Sequence, residues 1–314
     1  MSRMGQMTVC KKPYGGWPNC YWLTNGRLEL VVTTDVGPRI IRFGFVGEAN
    51  VLREYPKLLG RSGGAEWLIY GGHRLWEAPE DPARTYQPDN APVVAAQQGQ
   101  TLAVTQAADQ VTQTEKSIEL RFGSAGQVVV THRLTNRSHA PVQLAPWAIT
   151  VMDEGGVAIV PLPPRGVHPE SLSASSILTL WPYTDLSDSR WTWGQRYILL
   201  RQTPSATLPQ KIGASIPDGW AAYANGGSLL VKTFRRETGA CYPDMGANVE
   251  VFTNDTMLEV ETLGPLEHVA PGEAAEHTEE WFLFRDVPDP RSDDEVDRFV
   301  LPRVQEALNL SRSR

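Results

Sequence analysis

The sequence predicts an all-β fold, with one large antiparallel β domain followed by a short C-terminal helix. Short windows rich in β-branched and aromatic residues recur along the 314 residues, and clusters of Gly, Pro, Asn and Asp separate them. Helical periodicity is convincing only near the C-terminus. No internal repeat and no break in composition marks a linker, so we expect a single domain over residues 1–314.

The strand windows begin after an Asn25-Gly26 turn with Arg27–Val32, and they continue after Gly37-Pro38 with Arg39–Phe43. The later windows are 102–105, 117–122, 128–136, 142–152, 197–201, 228–234, 248–253, 257–262 and 279–284. Residues 161–196 are rich in Pro, Ser and Trp without clear periodicity, and that length is unusual for a loop. This segment is therefore either functional or contains elements that its pattern does not reveal.

The C-terminal helix is predicted over residues 292–310, with approximate ends. Ser292 is a good N-cap, and the acidic residues 293–295 suit the first turn of a helix. Pro302 is expected to kink or interrupt this helix. Apolar residues recur at helical spacing at Val296, Phe299, Val300, Val304 and Leu308, so we expect the helix to cover one end of a sheet.

Composition and charge exclude several classes of function. The chain carries 36 acidic and 29 basic residues, and its formal net charge is −7. The basic residues are scattered, which argues against a nucleic-acid partner because phosphate binding needs a clustered basic surface. No apolar stretch approaches the roughly 20 residues of a membrane span, and the first residues lack the apolar core of a signal peptide. Three cysteines without a CxxC motif indicate free thiols and a cytoplasmic location.

The stretch Tyr70–Asp81, YGGHRLWEAPED, has the strongest local indication of function. Its two glycines allow backbone conformations closed to other residues and the close approach of a ligand. His73 exchanges a proton near neutral pH, and Arg74 offers a planar set of donors. Trp76 offers a stacking ring and Glu77 an acceptor. Sugar recognition needs this combination, because each hydroxyl both donates and accepts while the faces of the sugar ring are apolar.

Two carboxylates on a late strand are the second candidate. Strand alternation over residues 257–262 sends Glu259 and Glu261 to one face, where they could line a polar cleft or face solvent at an edge. His132 shares a strand face with apolar residues and is expected to be a hydrogen-bonded core residue. His277 is expected at the surface. The ten tryptophans of the chain also favour carbohydrate, because an indole ring packs well against a sugar.

Other chemistries have weaker support. A metal site from His73, Glu77 and Asp81 is an alternative for the opening stretch, as is a purely salt-bridged loop, but one histidine with carboxylates is a weak metal signature. The sequence contains no GxSxG elbow, no P-loop, no HExxH motif and no GxGxxG after a strand. Cys241 has no histidine near it in sequence, which disfavours a covalent cysteine mechanism. We expect no cofactor and no metal.

Several stretches resemble the galactose mutarotase-like superfamily, which includes the aldose 1-epimerases, and the likeness is nearest to its DUF4380-type branch. These stretches span most of the chain and are Asn25–Leu30 through Gly37–Ile41, Gly71–Trp76, Thr131–Asn136, Leu258–Thr262 and Pro271–Thr278. The resemblance implies a large antiparallel β-supersandwich that acts on or binds a sugar. It also implies that Glu261 stands at the position of the catalytic base.

The resemblance is incomplete at the catalytic acid. Aldose 1-epimerases carry an acid histidine just after the L-T-N strand, and the corresponding segment here, Leu144–Thr150, contains none. Interconversion of anomers requires an acid and a base on opposite sides of the hemiacetal, each with a pKa near the working pH. We therefore hypothesise that Glu261 is the base and that His73 replaces the missing acid.

The remaining expected contacts concern the substrate, a small-molecule sugar. Arg74 and Glu77 are expected to hold its hydroxyls and Trp76 to stack on its ring, with Glu259 and Arg39 as further substrate-binding residues. If Arg39 and Arg74 meet in the site, an anionic sugar is favoured. Two alternatives stay open, namely a sugar-binding protein without catalysis and a glycoside hydrolase or lyase with Glu77 and Glu261 as paired carboxylates.

Overall fold

The structure, a computed structural model, describes residues 7–312, and its strands form two antiparallel sheets. Sheet A has eleven strands, namely β1 (Thr8–Lys11), β2 (Cys20–Thr24), β3 (Leu28–Thr33), β4 (Arg39–Phe45), β5 (His73–Ala78), β10 (Val142–Met152), β12 (Leu178–Leu180), β15 (Gln210–Ala214), β18 (Val249–Thr253), β19 (Leu258–Leu263) and β20 (Glu267–Val269). Their spatial order is β1-β2-β3-β4-β5-β10-β19-β18-β15-β12, and β20 pairs with β10.

Sheet B has ten strands, and its spatial order is also far from its chain order. They are β6 (Val94–Gln98), β7 (Thr101–Gln106), β8 (Thr114–Phe122), β9 (Val128–Asn136), β11 (Val157–Pro161), β13 (Trp191–Trp193), β14 (Tyr197–Arg201), β16 (Trp220–Asn225), β17 (Ser228–Phe234) and β21 (Ala274–Phe284). The spatial order is β13-β14-β11-β16-β17-β21-β9-β8-β7-β6. Both sheets therefore bring together segments that are distant in sequence.

The sheets pack face to face around an apolar layer. Alternate residues of each strand point into that layer, as the two-residue repeat of a strand requires. Leu75 and Val260 of sheet A and Val130 and Leu230 of sheet B belong to one continuous buried cluster. The architecture confirms the predicted all-β class and the antiparallel sandwich.

The C-terminal helical segment covers the outer face of sheet B rather than one end of a sheet. It consists of α1 (Asp293–Glu295), a π-helical turn (Val296–Val300) and α2 (Leu301–Arg312), and Ser292 caps its start as expected. Val296, Val300 and Val304 are buried in one cluster with residues of β11, β14, β16, β17 and β21, and α2 packs against β17 and β21. Pro302 does not break the helix, because it is the second residue of α2 and directly follows the wider π turn.

Several strands were not predicted from the sequence. Residues 73–78, which lie outside the predicted strand windows, form β5 in the middle of sheet A. The unassigned segment 161–196 contains two short strands, β12 and β13, one at an edge of each sheet. Both are three residues long, which is too short for an alternating pattern to be visible.

Two further observations bear on the environment of the protein. Among residues 7–312, no helix is long and apolar enough to cross a membrane. Cys10, Cys20 and Cys241 are all free thiols. The cytoplasmic location stays a prediction.

Candidate functional site

Strands β5, β10 and β19 lie side by side in the centre of sheet A, and their register fixes which side chains meet. Arg74 lies opposite Ile149, which lies opposite Glu261 on the next strand. Trp76 lies opposite Trp147 in the same way. Because directly opposite residues point to the same face of a sheet, these side chains share the outer face of sheet A. Segments about 180 residues apart in sequence are thereby placed in contact.

A cavity of about 390 Å³ lies on this outer face. Its wall is strongly aromatic, with Tyr55, Trp67, Trp76, Tyr86, Trp147 and Tyr183, and its charged lining residues are Arg74, Glu80, Lys211 and Glu259. Trp67 and Tyr86 come from the loops before and after β5, and Tyr183 comes from the unassigned segment 161–196. A mainly aromatic wall with a few convergent charged groups is typical of a small-molecule site.

The aromatic rings support one another. The ring centre of Trp76 lies 5.5 Å from that of Trp67, 5.1 Å from that of Tyr86 and 5.5 Å from that of Trp147. These tilted and edge-on contacts fix the ring planes. The indole nitrogen of Trp67 is buried and has no hydrogen-bond partner among the described residues.

Arg74 and Glu259 form an ion pair in the cavity. Nη2 of Arg74 donates to Oε1 of Glu259 at 3.0 Å, and the guanidinium lies over the ring of Trp76 at 4.5 Å. Burial raises the pKa of Glu259 even though Arg74 acts in the opposite direction. Nε and Nη1 of Arg74 are buried and have no hydrogen-bond partner in residues 7–312.

Lys211 joins two further carboxylates at the base of the cavity. Its Nζ lies 2.7 Å from Glu250 and 3.1 Å from Glu261, and Glu261 also accepts from Nε1 of Trp147 at 2.7 Å. Burial disfavours the ammonium of Lys211, but the two carboxylates outweigh it and raise the pKa of Lys211. Burial also raises the pKa of Glu250 well above its ordinary value. Glu261 has no exposed surface, so it lies behind the cavity wall while Glu259 is part of that wall.

His73 points to the opposite side of sheet A, into the layer between the sheets. Its Nε2 lies 2.7 Å from Nε2 of His132 on β9, and its Nδ1 lies 2.7 Å from Oγ1 of Thr150. Burial, followed by the neighbouring His132, lowers the pKa of His73 well below its ordinary value. The structure therefore separates His73 from the cavity that holds Arg74 and Trp76.

The interior cluster has one consistent arrangement of protons. Thr150 accepts a hydrogen bond from Lys232 and donates its own proton to Nδ1 of His73. The proton of His73 is therefore on Nε2, which donates to Nε2 of His132. Nδ1–H of His132 then donates to the carbonyl of His277. On the other side, His277 donates to Thr262, which donates to Glu279. Glu279 also accepts from Lys232 at 2.8 Å and from Trp281 at 2.7 Å. Every member has a partner without any added ion.

A metal ion does not fit this cluster well. His73, His132 and Glu279 offer ligand atoms within 4.8 Å of one another. The two histidines share a proton between their facing nitrogens, however, and the ammonium of Lys232 already neutralises Glu279. A cation would have to displace both, so the cluster is a structural network.

Three other predicted residues are not part of the cavity wall. Glu77 faces sheet B, where Oγ1 of Thr114 donates to it at 2.9 Å and Arg84 pairs with it at 2.9 Å. Arg39 lies on the outer face beside Arg74, but it is bound to Asp89 at 2.6 Å and to two backbone carbonyls. Asp81 accepts from the backbone of the following turn. The alternative metal site from His73, Glu77 and Asp81 is not assembled.

The glycines of the opening stretch are required by the protein itself. Gly71 and Gly72 have φ angles of 85° and 68°. A Cβ on Gly71 would lie 2.2 Å from the carbonyl oxygen of Arg53, and one on Gly72 would lie 2.2 Å from that of Ile40. The close approach is between backbone segments rather than between backbone and ligand.

Four residues of the site were not predicted from the sequence, namely Trp67, Tyr86 and Lys211 in the cavity wall and Glu250 behind it. A signal existed for Glu250, which stands between two valines in a predicted strand window, in the same pattern as Glu259 and Glu261. Lys211 lies in a short strand without a clear alternating pattern. Trp67 and Tyr86 lie in loops, where sequence alone does not specify orientation.

A larger cavity of about 420 Å³ lies between α2 and sheet B. Its charged lining residues include Asp218, Arg235, Arg236 and Arg312, and Phe234 is its only aromatic lining residue among those described. It contains none of the predicted site residues. The cavity on sheet A is therefore the better candidate.

No protein-family model and no curated relative matches the sequence. Solved structures do resemble it. A candidate aldose 1-epimerase from Klebsiella pneumoniae superposes with a TM-score of 0.57 at 12% identity, over 95% of this chain and 87% of the other. A galactose mutarotase-like protein from Lactobacillus casei superposes with a TM-score of 0.55 at 10% identity, over 85% of this chain and 100% of the other. A candidate mutarotase from Salmonella typhimurium superposes with a TM-score of 0.54 at 9% identity, over 89% of this chain and 97% of the other.

These similarities confirm the expected fold. The chain has the galactose mutarotase-like fold, and the match covers most of this chain and of each of the three structures. At such low identity the similarity concerns the fold alone. The assignment to the DUF4380-type branch stays a prediction.

Proposed function

We propose that the protein binds a sugar in the cavity on the outer face of sheet A. The observation that carries this proposal is the meeting of an aromatic wall with buried charged groups that keep free hydrogen-bonding atoms. Trp76 and Trp147 provide flat surfaces for the C–H faces of the sugar. Arg74 and the indole nitrogen of Trp67 provide donors, and Glu259 provides acceptors.

A second proposed function, anomer interconversion, is favoured by the carboxylates of β19. The base takes the proton of the anomeric hydroxyl while an acid protonates the ring oxygen, the bond from C1 to the ring oxygen breaks, and the aldehyde recloses after rotation. Glu259 lines the cavity, and its raised pKa brings it closer to the working pH of a proton acceptor. Lys211, also in the wall, has a raised pKa and keeps its proton, so its ammonium stabilises the charge on the ring oxygen as the bond breaks, while water supplies the proton that the ring oxygen takes up.

This assignment differs from the one that the family resemblance implies. The resemblance gives the base as Glu261, but that side chain is fully buried behind Trp147 and Lys211. We therefore assign contact with the sugar to Glu259 and the positioning of Lys211 to Glu261. His73 and Glu77 have no role in the proposal because both face sheet B.

Calorimetric titration with neutral, amino and anionic aldoses tests the binding proposal. Saturable heat for at least one class at millimolar concentration supports it. The absence of saturable heat for every sugar contradicts it.

NMR measurement of α-to-β interconversion tests the catalytic proposal in the same preparation. We expect Glu259→Gln to reduce the enzymatic rate by about 100-fold or more, since it removes the proton acceptor. Glu261→Gln should cost less, because Glu250 still holds Lys211. Glu276→Gln, an exposed carboxylate on β21, is the matched control and should leave the rate unchanged. Equal interconversion rates in wild type and all variants would contradict catalysis by Glu259, and sugar binding alone would then be the proposed function.

A further inference from the structure

The cavity and its base contain more carboxylates than cations. Glu80 and Glu259 line the cavity, and Glu250 and Glu261 lie behind it, in contact with Lys211. Arg74 and Lys211 are the cations that line the cavity among the described residues. Four carboxyl groups face two cations, so the site has a formal excess of two acidic groups around any bound ligand.

Both cations already have partners of opposite charge. Arg74 pairs with Glu259 at 3.0 Å, and Lys211 lies between Glu250 and Glu261 at 2.7 and 3.1 Å. Arg39, the neighbouring guanidinium on the same face, pairs with Asp89 at 2.6 Å and donates to two backbone carbonyls. An anionic sugar would therefore find no unpaired cation here, and its own charge would add to the excess.

Some carboxylate oxygens, in contrast, have no hydrogen-bond donor among the described residues. Oε1 of Glu250 and Oε1 of Glu261 are buried and have no hydrogen-bond partner among residues 7–312. At the rim, Glu80 accepts from the hydroxyl of Tyr86 at 2.6 Å, and the ring of Tyr86 lies 5.5 Å from that of Trp67. A carboxylate beside aromatic rings is a favourable environment for an ammonium group, which is attracted by both.

We propose that the sugar taken by this cavity carries a protonated amino group, which lies at the rim between Glu80 and the rings of Tyr86 and Trp67. The inference rests on the proposed sugar site and narrows its substrate class to amino sugars. Neutral aldoses bind more weakly because they leave the excess charge uncompensated, and phosphorylated sugars and uronates bind most weakly.

Calorimetry with glucosamine, N-acetylglucosamine, glucose and glucuronate tests the inference at a pH where the amine is protonated. We expect glucosamine to bind at least about tenfold more tightly than glucose or N-acetylglucosamine, and we expect its advantage to shrink as salt is added. N-acetylglucosamine keeps the nitrogen and removes the charge, so it separates charge from shape.

A pair of variants locates the effect. Glu80→Gln should lower the affinity for glucosamine by about fivefold more than it lowers the affinity for glucose, as expected for a partly exposed charge pair. Glu276→Gln is the control for a carboxylate remote from the cavity. Equal binding of glucosamine and glucose, or tighter binding of glucuronate, would overturn the inference while the sugar site stands. Binding of no sugar at all would overturn both.

Discussion

Lys232 and Glu279 form the charged centre of the network between the sheets, and neither side chain has any exposed surface. The ammonium donates to Glu279, to Thr150 and to the carbonyl of Val260, so all three of its protons are used. Burial lowers the pKa of Lys232, and the attraction of Glu279 opposes this effect. The carboxylate in turn depends on Lys232, because a buried charge without a partner is costly.

Replacement of Lys232 by Met should therefore destabilise the protein by about 3–5 kcal/mol, since Glu279 is left buried and unpaired. The double variant with Glu279→Gln should recover part of this loss. Denaturant unfolding of wild type, both single variants and the double variant gives the coupling energy between the two residues. A loss below about 1 kcal/mol for Lys232→Met would mean that the pair is not the charged centre described here.

At the residue scale, strand alternation was sufficient to place Glu259 and Glu261 on one face, and the register of β19 agrees with it. Residues 70–81 lie outside the predicted strand windows, although the same alternation holds there. Alternation along β5 sends Arg74 and Trp76 outward and His73 and Glu77 inward. Polar residues on both faces concealed the strand, because their partners are on segments far away in the chain.

Among the elements, β5 depends on the two glycines that precede it. Gly71 and Gly272 provide a controlled comparison, since their φ angles are 85° and 84°. A Cβ on Gly71 would lie 2.2 Å from a backbone oxygen, whereas one on Gly272 would meet nothing within 4 Å. The difference in destabilisation between alanine substitution at Gly71 and at Gly272 therefore measures the steric contact separately from the cost of the left-handed backbone.

We expect Gly272→Ala to cost about 1 kcal/mol, which is the backbone penalty alone. Gly71→Ala should cost about 3 kcal/mol or more, because the new methyl group forces β5 away from the segment that contains Arg53. Thermal or denaturant unfolding of both variants measures this. Similar losses of unfolding free energy in Gly71→Ala and Gly272→Ala would show that the close backbone contact at Gly71 can relax.

For the whole molecule, the sequence predicted the sandwich because most of its strands alternate or are rich in β-branched residues. The order of strands within each sheet was not accessible from the sequence, since it depends on packing between distant segments. The composition of the cavity wall was not accessible from the sequence for the same reason. The wall combines β5, β10, β15, β18 and β19 with four loops, and no local motif specifies that combination.

Stability of the whole molecule should depend on pH through the buried network. Burial lowers the pKa of His73, His132 and His277, the last to about 3, whereas the unfolded chain binds their protons below about 6.5. The pKa of Glu279 is also lowered, because its interaction with Lys232 outweighs burial. Glu250 and Glu259 act in the opposite direction, since their raised pKa values make the native state bind protons first.

The expected profile has two parts. Between about pH 6.5 and 4.5 the histidines and the two glutamates largely offset each other, so stability falls slowly. Below about pH 4.5 the three histidines and Glu279 all favour the unfolded state, so stability should fall more steeply. Circular dichroism during acid titration follows this change. A native spectrum retained at about pH 3 would contradict the assigned neutral network.

The central claim is that a sugar binds against the aromatic wall of the cavity on sheet A. The most direct measurement is a tryptophan fluorescence titration with glucosamine and glucose, carried out on wild type, Trp76→Ala and the control Trp193→Ala, an exposed tryptophan on β13. We predict a saturable change in wild type and in Trp193→Ala, and a dissociation constant at least about tenfold weaker in Trp76→Ala. No saturable change in wild type, or the same constant in all three proteins, would contradict the account.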